Sequence, residues 1–261
     1  MEIIIQSTYK QLATIASEII RDALLKKPDL VLGLATGSTP IGLYKALVRM
    51  YKEDGLDFSS VTTFNLDEYV GIPCEHPQSY HTFMANHFFD HVNISVKNRH
   101  IPQNTAENHE AFCAAYEEAI ARAGGIDVQV LGIGTDGHIG FNEVGSSLAS
   151  RTRIVTLTES TLVANASHFE GDMSAVPEIA ITMGIGTIME AKQCLLLANG
   201  TSKSEAIAKA VEGPITSMVP ASILQMHPNT VTLIDEAAAS DLKEVEYYKR
   251  SYANKLKLQS Q

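Results

Sequence analysis

Tryptophan is absent from the 261 residues and cysteine is scarce, with only Cys74, Cys113 and Cys194. The three lie far apart, are odd in number and form no CxxC pair, which argues against a disulfide framework or a structural zinc site. Basic charge is also in short supply: 20 Lys and Arg stand against 30 Asp and Glu, for a formal net charge of −10. Nucleic acid and anionic membrane both need a basic face, so neither is expected as a partner. An anionic small molecule remains compatible with this balance if its pocket supplies a local positive potential. Long hydrophobic runs are missing too, and stretches such as 194–198 are far too short to span a bilayer. The opening MEIIIQS lacks the basic segment and small-residue cleavage site of a secretory signal. A reduced, cytoplasmic protein is expected, and the sequence leaves a homo-oligomer open.

What is present is a regular alternation. Short runs rich in Ile, Val and Leu are expected as strands at 2–5, 30–35, 61–66, 128–133, 179–182, 194–198 and 230–234. Segments of helical period fall at 9–26, 40–53, 79–89, 106–122, 161–167, 202–211 and 242–255. Strands apolar along their whole length are covered on both faces. The fold class is therefore α/β: a three-layer α/β/α sandwich with a mostly parallel, Rossmann-like sheet. No internal repeat, low-complexity tract or linker divides residues 1–261, so one domain is expected.

The unusual residues cluster just after strands, at 36–40, 67–69, 132–143 and 200–203. Ligands bind at the carboxyl ends of parallel strands, so these clusters are expected around one crevice. In Thr36-Gly37-Ser38-Thr39-Pro40, Thr39 suits a helix N-cap and Pro40 the first helical position. Gly37 permits close backbone approach, and free amides with two hydroxyls can cradle an anion. Gly200-Thr201-Ser202-Lys203 repeats the plan. A lysine in a first helical turn opposes the helix dipole unless an anion lies beyond it. The alternative for both loops is an ordinary capped turn with a solvated lysine.

Two segments carry acid–base chemistry. Asp67 and Glu68 end an apolar strand, where partial desolvation would raise a carboxyl pKa and make a better base. Glu68 alone reads better as a cap for the turn that follows. The stretch VQVLGIGTDGHIGFNE, residues 128–143, places Asp136, His138 and Glu143 directly after a strand. A histidine oriented by carboxylates can exchange protons near neutral pH. The same stretch has the GxGxxG spacing of a dinucleotide site, but that site needs a helix opening at the third glycine. Here HIGFNEVGSS follows, without helical period, and Glu159 lies in a helix-opening segment rather than at a strand end. A metal is not expected, since HxxxxE lacks the one-turn spacing of a zinc-binding helix.

Taken together, LATGSTP at 34–40, FNLDEYVG at 64–71, HPQSYH at 76–81, GTDGHIGFNE at 134–143, SSLASRTR at 146–153 and GTSK at 200–203 resemble the glucosamine-6-phosphate deaminase family along nearly the whole chain. The resemblance implies conversion of glucosamine 6-phosphate and water to fructose 6-phosphate and ammonia, without metal or organic cofactor. It implies Asp67 as the base between C2 and C1, and His138 in opening the pyranose ring. Asp136 and Glu143 would orient His138, while Gly37, Ser38, Thr39 and Lys203 would hold the phosphate. The sequence departs from the family twice. Ser167, followed by His168, stands where a phosphate-binding arginine is expected, and 170–177 reads as a lid. Val155 replaces a lysine found in relatives activated by N-acetylglucosamine 6-phosphate, so weak or absent activation is expected although Ser146 and Arg153 remain. A 6-phosphogluconolactonase would share the GxGxDGH element but not the FNLDEY motif. A non-catalytic sugar-phosphate sensor would need a DNA-binding segment, and the sequence offers none.

Overall fold

β2 (Val31–Leu34) and β6 (Val128–Leu131), each buried along its whole length, pair in parallel at the centre of a seven-stranded sheet. The computed structural model describes residues 1–103 and 106–259. On one side of β2 follow β3 (Thr62–Asn65) and the short edge strand β5 (Arg99–His100). On the other side of β6 follow β9 (Gln193–Ala198), β10 (Thr230–Asp235) and β1 (Glu2–Gln6). Every pairing in this sheet is parallel. The chain builds outward in opposite directions from the β2–β6 pair, which makes the gap above their carboxyl ends a topological switch point.

Helices flank the sheet, their ends set by local chemistry. α1 (Tyr9–Lys26) starts where the Thr8 side chain accepts from the Gln11 amide, and it buries Leu12, Ala16, Ile20 and Leu24 at helical spacing. α2 (Ile41–Asp54) packs on α1 and ends at Gly55 in the left-handed region, whose φ of 73° suits glycine. α3 (Tyr80–His87), α4 (His109–Arg122), α5 (Glu159–Ala166), α6 (Ile185–Met189), α7 (Ser204–Glu212) and α8 (Val245–Gln259) complete the helical set. No described helix is long and apolar enough to cross a membrane.

A second, three-stranded antiparallel sheet was not foreseen. It is formed by β4 (Asp67–Tyr69), β8 (Ile179–Thr182) and β7 (Arg153–Thr156). The apolar stretch 179–182 thus belongs here and not to the central sheet. Leu66 joins the two sheets: its amide donates to Leu34 O at 3.0 Å, and its carbonyl accepts from Met183 N at 2.6 Å. β7 escaped notice because its burial alternates and it carries no apolar run. β5 is only two residues long, and α6 spans a single turn. A small separate core of Tyr69, Phe141, Leu157, Phe169, Val176 and Ala180 fills the space between this sheet and α5.

Candidate active site

The loops after β2, β3, β6 and β9 converge on a cavity of about 590 Å³ at the switch point. Thr36, Gly37, Ser38, Thr39, Asp67, Asp136, His138 and Lys203 all line it. Glu143, the remaining residue singled out from the sequence, is buried behind His138.

The loop after β2 is braced from outside. The Tyr9 hydroxyl donates to Thr39 O at 2.7 Å and accepts from the Gly42 amide at 2.7 Å. A Cβ on Gly42 would lie 2.7 Å from that hydroxyl, so the brace requires glycine. Thr39 does not cap α2 as expected. Pro40 takes the cap position, and Thr39 Oγ1 donates instead to Asn199 Oδ1 at 2.9 Å, tying this loop to the one after β9. Gly37 has a φ of 99°. Among the described residues, the amides of Gly37, Ser38 and Thr39 donate to no protein group, which leaves three N–H donors for an anion. Gly200, at a φ of 85°, is pinned by its amide to both Asp235 carboxylate oxygens at 3.0 and 3.1 Å. Lys203 lies in the short 3-10 turn before α7 rather than in the helix itself. Burial pushes its amine pKa down, and the Asp136 carboxylate works against that fall.

Asp67 is the first residue beyond the Leu66 junction. Burial, and then the charge of adjacent Glu68, push its carboxyl up from an ordinary 3.8 to about 8. Glu68 is fully buried and serves as a cap, although for a helix more distant than the following turn. It accepts from the Tyr69 amide at 2.8 Å and from the Tyr80 and His81 amides at the start of α3, at 2.8 and 3.2 Å. Burial raises its pKa to about 7 against the pull of those three donors.

His138 stands in a tight turn, with Gly134 N donating to His138 O at 2.9 Å and Gly137 N to Gly134 O at 3.1 Å. Its Nδ1 is 2.7 Å from Asp136 Oδ1 and 3.5 Å from Glu143 Oε2. Burial opposes ionisation of Asp136, yet the contacts and charge of His138 outweigh it and hold the carboxyl down at about 2. The other Glu143 oxygen accepts from the Thr158 amide at 3.3 Å, linking the histidine turn to the cap of α5. No helix follows the turn, as the sequence led one to expect of a loop unsuited to a dinucleotide. Gly140, at a φ of 58°, passes so close to Asp67 that a Cβ would be 3.4 Å from Oδ2.

Several contributors were not singled out from the sequence. Tyr9 and Asn199 act through bonds across 30 and 160 residues, and no local motif marks them. Tyr69 accepts from Asn165 Nδ2 at 2.8 Å and packs on Tyr80, Phe141 and Phe169, so the aromatic wall couples β4 to α5. At the arginine-poor segment, Ser167 turns away and donates to Ala164 O, while His168 lines the cavity. Arg153 donates to Asn142 Oδ1 at 2.8 Å and to Ser146 Oγ at 3.1 Å, and Val155 packs against the small core.

A parallel sheet with a polar, acid-lined cavity at its switch point defines a small-molecule α/β site. The family model for glucosamine-6-phosphate isomerases/6-phosphogluconolactonase matches residues 5–233, and the chain belongs to that family. It is 52% identical over 248 residues to glucosamine-6-phosphate deaminase 2 of Bacillus subtilis, covering 95% of this chain and 100% of the relative. It is 51% identical over 251 residues to glucosamine-6-phosphate deaminase of Thermoanaerobacter pseudethanolicus, covering 94% and 99%. A solved structure of a monomeric glucosamine-6-phosphate deaminase superposes with a TM-score of 0.90 at 46% identity, covering 92% of this chain and 100% of that one. 6-Phosphogluconolactonase from Trypanosoma brucei superposes with a TM-score of 0.70 at 20% identity over 92% and 98%, a likeness of fold alone.

Proposed function

We propose that this chain is an enzyme that converts glucosamine 6-phosphate and water to fructose 6-phosphate and ammonia. The free amides of 37–39 and the Ser38 hydroxyl, with Lys203 beyond them, hold the phosphate and so fix the sugar by its C6 end. His138 exchanges a proton with the ring oxygen as the pyranose opens. Asp136 and Glu143 hold the imidazole in place. Asp67 then takes the proton from C2 and returns it to C1, leaving the nitrogen at C2 open to water. The oxygen of that water becomes the C2 carbonyl, and the nitrogen leaves as ammonia. None of these steps calls on a metal or organic cofactor.

The observation that carries this reading is the meeting of Asp67, a carboxyl with a raised pKa, with His138 and Lys203 in one cavity. A carbon acid needs a base of high proton affinity held away from water, which a surface aspartate would not supply. The deciding experiment mixes purified protein with glucosamine 6-phosphate and measures ammonia and fructose 6-phosphate. Absence of both products overturns the assignment, and full turnover by Asp67→Asn overturns the base role. Because Val155 offers no cation beside Arg153, activation by N-acetylglucosamine 6-phosphate is expected to be weak or absent, and a sigmoidal rate curve abolished by that effector would contradict this.

A further inference from the structure

We propose that Asp136, His138 and Glu143 also form a three-ligand site for a divalent transition metal of the Zn²⁺ kind, and that its occupation inhibits turnover. One ligand atom from each of these residues lies within 4.8 Å of the other two. His138 Nδ1 is buried and faces both carboxylates, 2.7 Å from Asp136 Oδ1 and 3.5 Å from Glu143 Oε2. Glu143 Oε2 is likewise buried and without a hydrogen-bond donor, on a residue only 7% exposed. A buried carboxylate oxygen lacking a donor is costly. A single cation placed among the three ligand atoms supplies that missing partner.

The donor set selects the ion. One imidazole nitrogen and two carboxylate oxygens suit Zn²⁺ and its neighbours, whereas Mg²⁺ and Ca²⁺ take oxygen ligands. Three protein ligands with a fourth position toward the cavity is the arrangement of open zinc sites. Zn–N and Zn–O bonds of about 2.0–2.2 Å place tetrahedral ligand atoms about 3.3 Å apart. The 3.5 Å between Nδ1 and Glu143 Oε2 already matches this spacing. The 2.7 Å to Asp136 must open slightly, and Asp136, with a quarter of its side chain exposed, has room to move. The sequence spacing concealed this site because a zinc helix brings residues together one turn apart, whereas here the Gly134–Gly137 turn folds the chain back on itself.

The binding claim stands on geometry alone, and the inhibition claim rests on the role proposed for His138. A metal on Nδ1 adds positive charge to the ring and lowers its affinity for a further proton. Titration of the full chain with ZnCl₂ by isothermal calorimetry is expected to show one ion per chain and no response to MgCl₂. Asp136→Asn and Glu143→Gln should each weaken binding about tenfold or more, while replacement of all three cysteines by serine leaves it unchanged. Asp136→Asn is the safer variant, being isosteric and partly exposed, and its melting curve confirms folding. Zn²⁺ should suppress ammonia release from glucosamine 6-phosphate with a midpoint near the calorimetric Kd, reversibly on adding EDTA. Binding that survives both carboxylate substitutions, or vanishes with the cysteines, overturns the site. Binding without inhibition, in protein that turns over substrate, overturns only the inhibition. Protein that binds Zn²⁺ as described but yields no product upholds the site and refutes the proposed function instead.

Discussion

The imidazole of His138 lies directly against the Cα of Gly134: a Cβ added there would sit 2.3 Å from Cε1 and 2.4 Å from Nδ1. Backbone conformation does not demand this glycine, since its φ is not in the left-handed region. Ring placement does. Gly134→Ala is therefore expected to fold normally and to displace His138 from its carboxylates. A shift of about 1 Å costs about 10²-fold in rate, so kcat should fall on that scale while the melting temperature stays near that of the parent. Steady-state kinetics beside a thermal melt checks this, and unchanged kcat would mean that the ring position does not matter.

Asp67 must be ionised to act as a base, and its pKa is about 8. Activity should rise with pH through that region, giving kcat/KM an ascending limb near 8 rather than near the ordinary aspartate value. Glu68 is the second cause of the shift, after burial. Glu68→Gln removes a like charge, eases ionisation of Asp67 and should move the limb to lower pH. A pH–rate profile of both proteins reads the effect, and a limb that stays put or moves upward contradicts the electrostatic account.

The same shift fixes the sign of a stability effect. Native Asp67 holds its proton far more tightly than the unfolded chain does. The stability this contributes is fully present below about 3.8 and is lost as pH rises through about 8. Asp67→Asn has no proton to lose. It should therefore be more stable than the parent at about pH 9, by a few kcal/mol, and lose that advantage toward about pH 4. Denaturant melts at the two pH values test this, and parallel pH dependence in both proteins would show that Asp67 is not desolvated as described.

The parts of this molecule that sequence revealed were those written locally. Leu30 to Ala35 and Val128 to Ile133 announce buried strands because both faces are covered, and the glycine-rich loops lie at their ends in the chain. The second sheet was hidden because β4 carries Asp67 and Glu68, which read as the end of β3 rather than a strand of their own. The antiparallel pairing of β4 with β8, from Asp67 opposite Thr182 to Tyr69 opposite Ala180, defines that strand across more than a hundred residues of chain. Glu143 could be placed near His138 from spacing, but not its bond to Thr158, which depends on how α5 packs. Lys203 was legible from its loop, whereas Tyr9 and Asn199 were not, because their hydrogen bonds cross between elements.

Tyr9 offers a test of that long-range bracing. Its hydroxyl is the only described link between α1 and the Ser38–Thr39 backbone, donating to Thr39 O and at longer range to Ser38 O, and accepting from Gly42 N. Tyr9→Phe removes all three contacts and keeps the ring. Each such bond contributes about 1 kcal/mol, so a modest fall in stability is expected, with a rise in KM for glucosamine 6-phosphate and a smaller change in kcat. Equal losses in kcat and KM would place the effect at the reacting carbons instead of the phosphate loop.

His168 carries the last prediction. Lys203 is the only lysine or arginine among the described residues lining the cavity, whereas a phosphate monoester carries between one and two negative charges at neutral pH. The neighbouring Ser167, at the position where the family motif led us to expect arginine, spends its hydroxyl on Ala164 O and does not reach the cavity. His168 does reach it, exposed at the wall just beyond α5. An exposed donor of this kind contributes up to about 1 kcal/mol. His168→Ala should therefore raise KM for glucosamine 6-phosphate about two- to fivefold and leave kcat nearly unchanged, since it removes binding common to ground and transition states. His168→Arg should restore or lower KM, because a guanidinium pairs with phosphate in two places. Ser167→Ala should do neither. Unphosphorylated glucosamine supplies the control: a change in its KM equal to that of the phosphate ester would place His168 against the sugar ring and not the phosphate.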